Sequence, residues 1–204
     1  MKYYSLADLI KSSAMQICYV KSNKIIKNVT ENMIAGTKVQ IDNSGLYKEM
    51  ACSFIKDDIC ISYCIDEIIF NVNDCSFVEH KYVKDINTVE DWYLNKSLLQ
   101  CAVYNAIAIV NPNKKYITAD FLIKKGFPCN ELDISIPINS YLNFGDRIYE
   151  VKILDADKLV DFYFDKSTKC TDYTSAKIFD VQYKHKEYEL LNKYFTFNKL
   201  ENHE

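Results

Sequence analysis

The 204-residue chain is poor in the residues that punctuate a backbone, with four glycines and three prolines. That scarcity excludes collagen-like and loop-rich folds, and no Gly/Pro/Ser-rich linker separates one part of the chain from another. It also excludes the common phosphate cradles, since neither G-x-x-x-x-G-K-[S/T] nor G-x-G-x-x-G occurs. Histidine is as scarce: His80, His185 and the near-terminal His203 supply no metal triad. Eight cysteines are present (Cys18, Cys52, Cys60, Cys64, Cys75, Cys101, Cys129 and Cys170), but none forms a C-x-x-C pair. Cys60 and Cys64 are four apart, and a structural zinc site would need a second close pair. The cysteines are therefore expected to be free thiols acting as small apolar residues, and no metal or cofactor is expected.

Long apolar runs are missing too. No stretch approaches the ~20 predominantly apolar residues that span a bilayer. The opening MKYYSLADLIKSS lacks the apolar centre of a secretory leader. The expectation is a cytoplasmic protein with no membrane partner. An excess of positive charge is also absent, with 25 Lys and Arg against 28 Asp and Glu. A nucleic-acid partner, which needs a basic stripe, is not expected.

What remains is 49% hydrophobic and 26% charged, the composition of a folded chain. The organising stretch is 88–111, which holds the one tryptophan, Trp92. Leu98, Leu99, Ala102, Val103, Ala106, Ile107 and Val110 recur at helical spacing. Thr88 is a candidate N-cap, Glu90 and Asp91 suit the first turn, and Asn111-Pro112 ends the run. A short helix is expected at 5–13, a compact one at 119–125 with Gly126 and Pro128 beyond it, and an amphipathic one at 185–197.

Strands are expected at 15–20, 25–29, 37–42, 46–55, 59–65, 68–72, 134–138, 147–154 and 178–183, with turns at 43–45 and 57–58. Residues 159–164 fit either a helix or a strand. The order gives an α+β fold: an antiparallel β meander in the N-terminal half, packed against a central helix, with further short strands and helices C-terminal. Residues 1–204 read as one domain, with a weak boundary near 85–88.

Charge is unevenly spread. Residues 1–50 hold seven lysines against four acids, and residues 51–100 hold four against nine. The acids between Asp57 and Asp91 lie among tyrosines, which bury large area while keeping a polar handle. The expected function is non-enzymatic protein binding or inhibition, through an acidic, tyrosine-rich surface offered to a basic partner protein. Asp57, Asp58, Asp66, Glu67, Tyr63, Tyr82, Asp91 and Tyr93 are the candidate partner-binding residues, with Tyr47 beside them. In profile alone the chain is similar to small inhibitors and immunity proteins, and no motif carries that likeness.

Enzymatic chemistry is the alternative. Asp157, Asp161 and Asp165, following Asp155, share a face in either conformation, and grouped carboxylates can divide acid and base roles. Cys129, in a loop after Phe127-Pro128, is the better candidate nucleophile of the two weighed. Cys101 falls on the apolar half of the central helix, where the helix dipole does little to activate it. A homo-oligomer burying the aromatic surplus is a third reading.

Overall fold

The computed structural model describes residues 1–23, 47–136 and 138–201. The strands expected at 25–29 and 37–42, the turn at 43–45, and Pro137 lie outside the described residues. The described elements run β1 (Lys2–Ser5), α1 (Leu6–Lys11), α2 (Ala14–Asn23), β2 (Lys48–Lys56), β3 (Ile59–Phe70), β4 (Cys75–Lys81), α3 (Asp91–Val110), β5 (Lys115–Thr118), α4 (Asp120–Ile123), β6 (Glu131–Asp133), β7 (Ile138–Phe144), β8 (Arg147–Ile153), α5 (Ala156–Lys169), α6 (Tyr173–Tyr183), α7 (Glu187–Leu191) and β9 (Phe195–Lys199).

The fold is α+β. Nine described strands form one mostly antiparallel sheet in the order β6-β5-β2-β3-β4-β7-β8-β9, with β1 beside β3. β2, β3 and β4 are the antiparallel meander. β4 and β7 pair in parallel, which requires a crossover, and α3 lies within it. α3 packs on β4, β7 and β8 and against α5. Its residues are buried without interruption from Ser97 to Ala108, so it is the core of the molecule as its nearly unbroken apolar sequence predicts. Its N-cap is Glu90 rather than Thr88.

Several elements differ from the sequence expectation. Residues 15–20 belong to α2 and 178–183 to α6, not to strands. Each of these helices begins at a side-chain cap. Asp172 accepts from the Ser175 N–H at 2.9 Å, and Asp180 accepts from the N–H groups of Ala14 (2.8 Å) and Met15 (3.0 Å). Residues 159–164 are helical within α5, which Asp155 caps by accepting from the Lys158 N–H at 3.0 Å. The strands at 59–65 and 68–72 are one twelve-residue strand, β3. Residues 134–136 are not in a strand; the short edge strand is β6, and β7 begins at Ile138. The expected helix at 185–197 is short, and from Phe195 the chain is extended and pairs with β8. β4 was not expected as a strand at all.

Candidate functional site

Two sets of charged side chains stand out, one buried and one exposed. The buried set lies where the sheet forks. β2 runs along one edge of β3, while the other edge is shared by β1 at Ile59–Ser62 and β4 at Glu67–Phe70. Beyond Val78, β4 leaves β3 and continues along β7. The inward alternation of β3 slips at this point, with Ile61, Tyr63 and Ile65 buried and then Ile68. The pairing register with β2 is the same on both sides of the slip, so it reflects which side chains are covered there and not an inserted residue. Across from it Glu49 takes a left-handed φ of 48° and drops out of the ladder.

Glu79, 4% exposed beneath α3, accepts from the Lys81 ammonium and the Gln100 amide through one oxygen. Its other oxygen, Oε2, has no hydrogen-bond partner among the described residues. Burial, then the nearby Asp66 charge, pushes the Glu79 carboxyl up to about 7. Burial alone would lower the Lys81 pKa, but Glu79 and Asp66 outweigh it and hold the ammonium charged. Asp66 accepts from the His80 N–H at 2.8 Å, and His80 Nε2 lies 3.0 Å from Glu67 Oε2. The Cys64 thiol donates to Glu49 at 3.3 Å, and burial followed by Asp66 raises the Glu49 carboxyl to about 7. Shifted carboxyls of this kind occur at catalytic sites and in structural ion-pair networks alike. Here Glu79 and Lys81 lie under α3, and Lys81 and the helix's own Gln100 both bind Glu79, as a network buried at the fork.

The exposed set is built around Lys56, at the end of β2. Asp57, with a φ of 54°, and Asp58 form the tight turn into β3. Asp157, Asp161 and Asp165 are spaced four apart on the exposed side of α5. Lys56 donates to Asp161 at 2.9 Å, and Asp57 and Asp157 also act on its charge. Packing brings the turn and helix together: Phe54 of β2 meets Phe164 of α5 edge-on at 5.1 Å. Next to the turn, Ile55 and Tyr3 flank Cys60 in register across β3 and are 52% and 66% exposed. An apolar pair is thus left in solvent next to the turn acids, on the sheet face opposite to Phe54, Lys56 and α5.

The eight expected partner-binding residues do not form one surface. Asp57 and Asp58 lie on this exposed set, and Asp66 and Glu67 are partly buried at the fork. Asp91 is exposed at the start of α3, and Tyr82 is exposed just after β4. Tyr93 is partly buried and packs on Phe144 at 5.4 Å. The expectation that Tyr63 is exposed is corrected. It is 4% exposed because it shares the inward face with Ile61 and Ile65, and its hydroxyl shares a 3.0 Å hydrogen bond with Tyr116. Tyr47 is likewise partly buried, against Phe70 at 5.5 Å.

Of the alternative catalytic residues, Cys129 is exposed between α4 and β6, and no described hydrogen bond or ion pair joins it to a histidine or carboxylate. Asp157, Asp161 and Asp165 point to solvent, and among the described residues no three His, Cys, Asp or Glu side chains are grouped to hold a metal ion. Cys101 is a core thiol, 3.0 Å from the Ser140 hydroxyl and raised to about 12 by burial.

Sequence reasoning missed Glu79, Lys81, Gln100 and Glu49. A signal was present in β4. Alternation from Cys75 and Phe77 places Glu79 and Lys81 on the inward face, although the local string Glu-His-Lys looks like a solvated turn. No described helix is long and apolar enough to cross a membrane. No protein-family model, curated protein or solved structure matches this chain.

Proposed function

We propose that the protein is a non-enzymatic binding protein, with an inhibitory or shielding role toward a basic partner protein. The reading rests on one observation. The β2–β3 turn and the exposed side of α5 gather Asp57, Asp58, Asp157 and Asp161 around Lys56, with Lys2 paired to Asp58, and the turn adjoins the exposed apolar pair Ile55 and Tyr3 on the other face of the sheet. Exposed apolar area rimmed by one sign of charge is the composition of a protein-docking surface. The acids steer a cationic partner into register, and the apolar pair supplies the area buried on contact.

The test is capture from an extract of the source cells by wild-type protein and by a variant carrying D57K, D58K, D157K and D161K. It is run at about 0.01 M and about 0.1 M salt, where the screening length falls from ~30 Å to ~10 Å. A stoichiometric partner held by the wild type, weakened by salt and lost with the variant, supports the proposal. Capture that the charge reversal leaves unchanged removes this surface from the account.

A further inference from the structure

A cleft of about 660 Å³ opens between the α1–α2 turn, the first half of α3 and the turn joining α6 to α7. It shares no residue with the surface around Lys56, and its volume is in the range of small-molecule sites. Its floor is apolar, formed by the buried Ile10 and Leu99. One wall is Trp92, which is 58% exposed and is the chain's one tryptophan.

The charge around this floor is predominantly positive. Lys11, Lys96 and Lys184 line the cleft, joined by His185, whose left-handed φ of 66° shapes the α6–α7 turn. Two carboxylates also line it: Glu187 is engaged by Lys166 and by the Tyr163 hydroxyl at 3.3 Å, while Glu189 is exposed at the rim, and Glu90 accepts from the Trp92 indole N–H, so three lysines stand against these acids. Lys96 donates to the Lys11 carbonyl at 3.1 Å, which fixes the two lysine-bearing elements together. Both ammoniums are held below their ordinary pKa, chiefly by burial; Lys81 lowers Lys11 further, and Glu79, Asp66 and Asp8 act against that shift. Partly desolvated cations gain more from an anion than cations in water do.

We propose that this cleft binds a small organic anion, its flat ring against the Trp92 indole and its phosphate or carboxylate held by Lys11, Lys96 and Lys184. An indole face also attracts organic cations, but three lysines around one apolar floor repel them. A bare inorganic anion would leave the floor and the indole unused.

Because Trp92 is the sole tryptophan, its fluorescence reports directly on the cleft. The probes are AMP and benzoate as ring-bearing anions, adenosine as a ring without charge, and inorganic phosphate as charge without a ring. Saturable quenching by AMP or by benzoate is expected, and which of the two binds more tightly identifies phosphate or carboxylate as the preferred head. Adenosine and phosphate should each bind about tenfold or more weakly than the preferred anion. Lys184→Glu should weaken that anion about tenfold or more, with circular dichroism unchanged. Calorimetry on Trp92→Leu should show a comparable loss without relying on the fluorophore. The proposal is overturned if neither AMP nor benzoate binds below about 1 mM, if adenosine binds as tightly as the preferred anion, or if Lys184→Glu leaves affinity unchanged.

Discussion

Lys56 and Asp161 lie 105 residues apart in sequence and 2.9 Å apart in the fold. Their ion pair marks where the acidic β2–β3 turn meets the acidic side of α5. Both side chains remain about half exposed, and exposed pairs contribute little to stability. Asp161→Ala is therefore expected to change the unfolding free energy by less than about 1 kcal/mol in urea titration. A small stability effect leaves these carboxylates available for a partner. A much larger loss would make the pair a structural clamp instead.

Glu79 and Lys81 are in the opposite situation. Removing one member of a buried pair strands the other, at a cost on the order of 3–5 kcal/mol. Lys81→Met should destabilise by that order, because Glu79 would keep only Gln100. The double variant Lys81→Met with Glu79→Gln should recover most of the loss, since well-packed neutral side chains replace buried ion pairs at little cost. A double variant no better than Lys81→Met would show that the two residues act independently.

The fork also gives stability a pH dependence. The Glu49 and Glu79 carboxyls have pKa values of about 7 in the folded protein against the usual 4.5, so between those limits the folded state binds more protons than the unfolded state. Their favourable contribution is complete below about 4.5 and is lost as pH rises through about 7. Burial raises the Glu187 carboxyl as well, which adds in the same direction. The urea midpoint should therefore fall between about pH 5 and pH 8. Glu49→Gln should flatten the fall, leaving the lower end unchanged and raising the upper end. A midpoint that rises with pH over this window, unaffected by Glu49→Gln, would contradict the shifts.

Thiol chemistry should separate the cysteines by burial. Cys129 is exposed and Cys64 partly buried, while Cys18, Cys52, Cys60, Cys75, Cys101 and Cys170 are buried. Burial raises the Cys75 thiol to about 11 and those of Cys101 and Cys170 to about 12. An aromatic disulfide reagent at neutral pH should label Cys129 rapidly and Cys64 slowly, and the rest only after denaturation. Cys129→Ser should abolish the fast phase alone.

The parts of the fold legible in the sequence are those whose signals are local. The α3 segment carries its own periodicity and its Asn111-Pro112 stop, and the Asp57-Asp58 turn is a charged pair between apolar strands. α2 and α6 were read as strands because what fixes them is partly remote. Asp180 of α6 binds the first amides of α2 from 166 residues away, and the two helices pack on each other. No window of sequence contains that contact.

The candidate surface divides in the same way. Both acidic groups were visible, one as a hairpin tip and one as a helical face, but their meeting depends on Phe54 packing against Phe164. The fork was not visible, because the burial pattern of β3 slips by one after Ile65 and hides which of Asp66 and Glu67 turns inward.

The most direct test of the partner-binding account is the affinity of the captured partner for wild type and for the variant carrying D57K, D58K, D157K and D161K, with Ile55→Ser measured alongside. The account predicts a loss of about tenfold or more on charge reversal, steeper at low salt, and a separate loss from Ile55→Ser that salt does not change. Equal affinities for all three proteins would contradict it.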